Sequence, residues 1–153
     1  MKFIDAAEFK NYIGKELGAS EWFQIDQDRI NAFADATLDH QFIHVDEDRA
    51  KAETPFGGTI AHGFLTLSIL SHLNSTILPE IEGRVMTFNY GMNKVRFLNP
   101  VKSGARVRSR VVLDSVEDKP GNRILCQFKT VVEIEGEETP ALMAEQLAMH
   151  VLA

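Results

Sequence analysis

The chain has 153 residues, of which 44% are hydrophobic and 25% are charged, as in an ordinary soluble globular protein. This length suits a single domain over residues 1–153 that buries a core without disulfides or a structural metal. The formal net charge of −6 provides no global basic field for phosphates and excludes nucleic acid as the main partner. The single cysteine, Cys126, excludes an intrachain disulfide, and we interpret it as a core residue of a strand.

No segment reads as a targeting or membrane signal. The first eight residues contain two acids and no apolar h-region, so we predict no secretory signal. The longest apolar stretch, near residues 60–78, contains His62, His72 and Asn74 and is too polar for a membrane span. We therefore expect a cytoplasmic protein without membrane insertion.

In the first half of the chain, the sequence predicts short helices and one short strand, and capping residues indicate where the helices begin. Aspartates stand before each helical pattern, where a carboxylate accepts free backbone N–H groups of the first turn. The second helical pattern frays near residue 38 and delivers Asp39 into a loop, together with His44. The predicted elements are a helix over 6–13 after Asp5, a strand over 21–25, a helix from Asp26 through Ala34, and a helix over 47–52 after Asp46.

A longer helix follows, and then the period of the pattern changes. From Gly63 to about Thr76 apolar residues cover most of the helix circumference, which predicts a buried helix. Period-two alternation predicts strands over 84–97, 106–113, 124–134 and 141–151, with a bulge or bend at Gly91. Turn residues separate these strands. Consecutive hairpins therefore predict a mainly antiparallel sheet curled round the buried helix, an α+β fold.

Two motifs in this order carry a resemblance. Residues 34–46 read ADATLDHQFIHVD, and residues 60–65 read IAHGFL. Together they resemble the hydratase signature of the MaoC-like, (R)-specific enoyl-CoA hydratases. Residues 89–97, NYGMNKVRF, are similar to the subgroup typified by nodulation protein N. The resemblance runs from about Trp22 to the last strand, and its specificity comes from the two motifs occurring together at the family's spacing.

The resemblance implies a fold, an assembly and a set of site residues. The fold is a hot-dog fold, a curved antiparallel sheet wrapped around a long central helix, usually as a homodimer. The substrate is a CoA or acyl-carrier thioester, with no cofactor besides the CoA of the substrate. Asp39 and His44 match the catalytic pair, Gly63 supplies a backbone N–H to the thioester oxygen, and Ser71 matches a serine that often lines the site. Phe42 stands where many members have proline, and it either narrows the acyl tunnel or simply packs.

These residue types suit the addition of water to a trans-2-enoyl thioester. The reaction needs a base for water, a proton for the α-carbon and donors for the developing thioester oxyanion. Asp39 and His44 are placed to share one water, with Asp39 acting mainly on the water, and the sequence leaves open which of them takes its proton. The start of the helix at Gly63 offers unpaired backbone N–H groups, and glycine permits close approach.

Each site residue also has a structural interpretation. Seen alone, Asp39 is a turn residue and His44 a loop histidine, and only the combined motifs favour catalysis. Ser71 serves equally well as a buried hydroxyl bonded to a backbone carbonyl. We interpret His62 as fixing the loop before the helix, in preference to a catalytic base. We predict no metal site, because the remaining histidines show no ligand spacing with a cysteine or acid: His40, His72 and His150.

Basic residues on the strands are interpreted mostly as a solvated sheet face. Lys94 and Arg96 alternate towards one side of their strand, so they are the first candidates for binding the phosphates of CoA.

The sequence leaves three functions in competition. The leading hypothesis is reversible hydration of trans-2-enoyl-CoA to (R)-3-hydroxyacyl-CoA. The alternatives are an acyl-CoA thioesterase of the same fold and a non-catalytic acyl-thioester binding protein.

Overall fold

The structure, a computed structural model, describes residues 3–153. The single-domain prediction over 1–153 also includes Met1 and Lys2, which lie outside the described residues. The helices are α1 Ala6–Lys10, α2 Gln27–Thr37, α3 Phe42–Val45, α4 Glu47–Glu53, α5 Gly63–Ser68 and α6 Leu70–Ser75. The strands are β1 Phe3–Ile4, β2 Glu16–Ala19, β3 Phe23–Gln24, β4 Glu80–Ile81, β5 Arg84–Phe97, β6 Arg106–Lys119, β7 Arg123–Ile134 and β8 Leu142–Leu152.

A curved antiparallel sheet in the order β2-β6-β7-β8-β5 forms one layer of the hot-dog fold, as predicted. Short β3 pairs with the beginning of β6, and β1 and β4 form a separate parallel pair. The prediction of consecutive hairpins is wrong at one point. β5 pairs with β8 and not with β6, so the segment after Phe97 carries the chain across the sheet. The predicted irregularity at Gly91 is confirmed by a register shift between Asn89 and Gly91.

The central helix differs from its prediction in two respects. It is divided into α5 and α6 at Ile69, although the bonds from Ile69 N–H to Leu65 O and from Leu73 N–H to Ile69 O continue the helical pattern. It is also not buried all round, since Phe64 is 67% exposed. Phe64 lies beside Phe97 of β5, their ring centroids 5.8 Å apart, and β5 ends the sheet on that side.

Local capping was predictable, whereas short elements made by distant pairing were not. The carboxylates of Asp5, Asp26 and Asp46 each accept a backbone N–H three residues on, as predicted, although α1 ends at Lys10. The strand predicted over 21–25 shrinks to β3, and β2 was missed because its residues do not alternate and pair only with β6. The loop predicted for His44 is instead the short helix α3.

The main core lies between α5–α6 and the inner face of the sheet. Leu65, Leu70 and Leu73 of the helices pack in one buried cluster with Val107 and Leu142 of the strands. Cys126 is buried in a second cluster, and burial raises the pKa of its thiol to about 12, which makes it a core residue and not a nucleophile. None of the helices over residues 3–153 combines the length and the apolar character needed to cross a bilayer.

Candidate active site

Asp39 is placed by the way α2 ends. Leu38 caps this helix in the left-handed conformation, with φ 61° and ψ 22°, which turns the chain away from the helix axis. A left-handed conformation costs conformational energy for leucine, which normally ends a helix at that residue. Asp39 follows directly and is exposed, and its carboxylate accepts the N–H of Gln41 at 3.4 Å. The carboxylate thus stands at the protein surface.

His44 is 7% exposed and is fixed by bonds to the segment that precedes α5. Its Nδ1 lies 2.7 Å from the backbone oxygen of Ile60, and the N–H of Ile60 donates to the oxygen of Ile43. A carbonyl oxygen only accepts, so Nδ1 carries the hydrogen and the neutral ring keeps its lone pair on Nε2. The amide of Gln27 donates to the backbone oxygen of His44 at 2.7 Å and ties α3 to α2.

The surroundings of His44 favour its neutral form. Burial is the largest cause that lowers the pKa of this imidazole below 6.5. The bond to the Ile60 carbonyl and the charge of Asp39 oppose that shift, and the neighbouring His62 adds to it. His44 is therefore unprotonated at neutral pH, with Nε2 available to accept a proton.

His62 joins the predicted pair. Its Nε2 lies 2.9 Å from the backbone oxygen of Asp39, and its ring stacks on His44 with centroids 3.8 Å apart. Nitrogens of both rings and a carboxylate oxygen of Asp39 lie within 4.8 Å of one another. The interpretation of His62 as a residue that fixes the loop agrees with this geometry, but the sequence carried no signal of its contact with His44, which lies 18 positions away.

The same three side chains have the composition of a metal site but not its geometry. The planes of the two imidazoles are only 25° apart, so their in-plane lone pairs run side by side and do not converge on one point. Four-coordinate sites need converging donors at about 2.0–2.1 Å from the ion. Nε2 of His62 is already hydrogen-bonded to the backbone oxygen of Asp39, so only Nδ1 of that ring would remain as a ligand. The absence of a metal site stays a prediction, which activity after dialysis against a chelator tests.

A cavity of about 300 Å³ opens between α5 and the ends of β5 and β8, and both His44 and Gly63 line it. Gly63 is the first residue of α5, and the side chain of His62 does not cap that helix. A Cβ at Gly63 would lie 3.0 Å from the Phe97 ring, so any side chain here requires that ring to shift. The other lining residues are mostly apolar: Phe56, Ile60, Ala61, Thr66, Phe97, Leu98, Asn99, Pro100, Val101 and Ala141.

Some predicted site residues lie away from this cavity. The Phe42 ring packs under the guanidinium of Arg49, 3.9 Å from its centroid, and does not line the cavity. Ser71 lines a second cavity of about 510 Å³ beneath α6, where its hydroxyl is 3.4 Å from the Asn89 amide. The inferred roles of Phe42 and Ser71 in binding substrate therefore stay predictions.

Lys94 and Arg96 lie on the outer face of β5. Side chains alternate along a strand, and Val95 and Phe97 are the residues that face the helix. Lys94 and Arg96 therefore point to the opposite side, where they border a depression with Lys129 of β7. The sheet separates them from the cavity beside His44, so a contact with CoA phosphate requires the nucleotide to pass around the edge of the sheet.

Comparison with known proteins identifies the family of this chain. A family profile described as the MaoC-like domain matches residues 8–136. The chain belongs to the MaoC-like family. It is 49% identical to nodulation protein N of Rhizobium leguminosarum bv. viciae, covering 97% of this chain and 92% of that protein. It is 44% identical to 3-hydroxyacyl-thioester dehydratase Z of Mycobacterium tuberculosis, covering 97% of each.

Among solved structures, the unliganded (R)-hydratase of Pseudomonas aeruginosa superposes with a TM-score of 0.68 at 25% identity, covering 92% of this chain and 83% of that one. The resemblance to MaoC-like proteins of the nodulation protein N subgroup is thus confirmed, as is the hot-dog fold. This MaoC-like chain accordingly falls within a family of hydratases and dehydratases, which are lyases.

Proposed function

We propose that this MaoC-like protein catalyses the reversible hydration of a trans-2-enoyl thioester to an (R)-3-hydroxyacyl thioester. One observation carries the proposal: a buried, neutral imidazole and the start of α5 line the same cavity, with a carboxylate within 4.8 Å of the imidazole. Support for the thioester class comes from the Mycobacterium relative, a 3-hydroxyacyl-thioester dehydratase by name, and support for the (R) product comes from the Pseudomonas (R)-hydratase. The thioester is carried by CoA or by an acyl carrier protein.

The residues divide the reaction between them. A water held between the Asp39 carboxylate and Nε2 of His44 loses a proton to this pair as its oxygen bonds to the β-carbon. The electron pair of the carbon–carbon double bond moves towards the thioester, whose oxygen gains negative charge. The backbone N–H of Gly63 stabilises that oxygen, and a proton then reaches the α-carbon. Water is the only co-reactant, so no cofactor enters this scheme.

The decisive experiment mixes the purified protein with crotonyl-CoA. Loss of the enoyl-thioester absorbance without release of free thiol supports the hydratase. Appearance of free thiol would instead identify a thioesterase, the alternative enzyme of this fold. Neither change, across several acyl lengths, would leave a non-catalytic binding protein. Chiral analysis of the product then tests its predicted (R) configuration.

We also propose a homodimer formed along β5. This strand runs for 14 residues at the end of the sheet, and much of its apolar surface is exposed in a single chain. A long uncovered strand edge is normally paired or covered. Light scattering at micromolar concentration should give twice the mass of one chain, and a monomer would contradict the proposal. The exposed apolar residues of β5 are Val85, Met86, Phe88, Tyr90, Met92 and Phe97.

A further inference from the structure

A third side chain touches both members of the proposed catalytic pair. His62 is 3% exposed and lies at the boundary of α5, directly before Gly63. Its ring stacks on His44 at 3.8 Å, and its Nε2 is 2.9 Å from the backbone oxygen of Asp39. One imidazole is therefore in contact with the ring of the base and with the backbone that carries the acid.

The hydrogen-bond partners of His62 fix its tautomer. The backbone oxygen of Asp39 only accepts, so the Nε2 of a neutral His62 must carry the hydrogen. Its Nδ1 is then a buried acceptor, and no donor within residues 3–153 reaches it. Because the two rings are stacked, protonating both would place two positive charges about 4 Å apart, where their repulsion is strong at low dielectric.

We infer that His62 is a positioning residue: it holds Asp39 and His44 in the geometry that shares one water, and its presence opposes the protonation of His44. The inference rests on the proposed hydration.

Charge around His44 is consistent with this role. Apart from burial, which is the largest cause, the titratable groups that act on the pKa of His44 are His62 and Asp39. The first lowers that pKa and the second raises it. Phe33 packs against His62 with ring centroids 5.0 Å apart, an apolar ring contact that does not depend on the imidazole nitrogens. What phenylalanine cannot reproduce at this position is the N–H donor and the second titratable ring.

Two variants separate these contributions. His62→Phe keeps an aromatic ring against His44 and removes both the donor and the titratable group. His62→Gln removes the ring and keeps an N–H donor that reaches the Asp39 carbonyl. As a matched control, His72→Phe changes an exposed histidine of α6 that contacts the edge of Phe23. Kinetics with crotonyl-CoA across pH, together with NMR titration of the His44 imidazole, give the readouts.

We expect His62→Phe to lower kcat about 10- to 100-fold with little change in KM, since misplacement of reacting groups by about 1 Å costs about 10²-fold. The acid limb of its pH profile, and the NMR titration of His44, should move to higher pH. His62→Gln should recover part of kcat while the titration of His44 stays displaced. His72→Phe should match the wild type.

Either a wild-type kcat or an unchanged His44 titration in His62→Phe would overturn the inference. If His62→Phe does not fold, His62→Gln decides by the same two readouts. A wild-type protein that fails to hydrate any enoyl thioester would refute the proposed function, whereas an unshifted His44 titration in the variants would refute the role of His62. The two failures are therefore distinguishable.

Discussion

Two aspartate–histidine pairs with the same spacing follow each other along this chain, and only the second belongs to the candidate site. Asp35 and His40 form an exposed hydrogen-bonded pair, with Oδ1 and Nε2 2.9 Å apart. Asp39 and His44 have the same separation of five residues, but His44 is buried, bonded through Nδ1 and stacked on a second ring. Spacing alone therefore does not identify a catalytic pair; burial and the contacts of the histidine do.

The two pairs provide a matched test. Asp39→Asn and His44→Gln should each lower hydratase turnover by at least about 10²-fold, the usual scale of general acid–base catalysis. Asp35→Asn and His40→Gln should leave turnover near the wild-type value, since His40 is exposed whereas His44 is buried. Steady-state rates with crotonyl-CoA measure the effect, and circular dichroism verifies folding. Equal losses in both sets of variants would remove the assignment of Asp39 and His44.

Gly63 is expected to tolerate no side chain. A methyl group there would lie 3.0 Å from Phe97, so Gly63→Ala should shift that ring within the cavity wall. Turnover should fall in Gly63→Ala and fall further in Gly63→Val. Removing one oxyanion donor costs about 2.7–4 kcal/mol in other enzymes, and a displaced substrate should lose a similar amount.

A double variant identifies the cause of this loss. Gly63→Ala combined with Phe97→Leu should recover part of the turnover, because the smaller side chain leaves room for the methyl group. Phe97→Leu alone serves as the control. A fully active Gly63→Val would contradict the proposed approach of the thioester to this backbone.

The proposed role of Lys94 and Arg96 is to bind the phosphates of CoA, and kinetics test it directly. If they bind CoA phosphate around the sheet edge, Lys94→Ala and Arg96→Ala should raise KM more than they lower kcat. The effect should shrink with a pantetheine thioester, which lacks the nucleotide. Arg106→Ala, which breaks an exposed ion pair with Glu135, is the control. Unchanged KM for the CoA substrate would assign both residues to the solvated sheet face.

At the scale of elements, the sequence predicted features that depend on residues close together in the chain and missed features that depend on distant ones. The caps at Asp5, Asp26 and Asp46 involve neighbours three residues away and were all predictable. The partner of β5 was not, because alternation shows that a strand exists but does not show which strand it joins. The same reason explains why β2 was missed, since this strand is defined by its pairing with β6.

The candidate site follows the same rule. The motifs identified Asp39, His44 and Gly63, and the structure brings two of them to one cavity and the third beside it. The contact between His62 and His44 depends on how α3 folds against the segment before α5, which no local pattern specifies. Lys94 and Arg96 were correctly assigned to a common face, but the side of the sheet on which that face lies is set by the packing of Phe97 against Gly63.

At the scale of the whole molecule, the fold should lose stability in mild acid through His150. Burial lowers the pKa of this imidazole to about 4, with a further contribution from Arg84 that Glu80 opposes. The ordinary value is 6.5, so between these two values the unfolded chain binds a proton that the folded chain does not. The free energy of unfolding therefore falls as pH is lowered through this window, by up to about 3 kcal/mol.

Urea unfolding across this pH range, at constant protein concentration, measures the effect. His150→Asn should flatten the slope between about pH 6.5 and pH 4. It should also be less stable at neutral pH, because it disturbs the bond between Thr87 and the ring. His40→Gln, at an exposed site, should retain the wild-type slope. An unaltered slope in His150→Asn would exclude this residue as the cause.

The uncovered edge of β5 matters most in a newly synthesised chain, before any partner covers it. A 14-residue edge strand with exposed aromatic rings is a template for pairing with other extended polypeptides as well as with its own copy. If pairing with a second copy covers this strand, it stays exposed to wrong partners until the dimer forms. Dimer formation slows as the chains become more dilute. Apparent thermal stability should then rise with protein concentration, because association favours the folded form by mass action. For this protein, the concentration of chains in the cell would then help to set the stability of each chain.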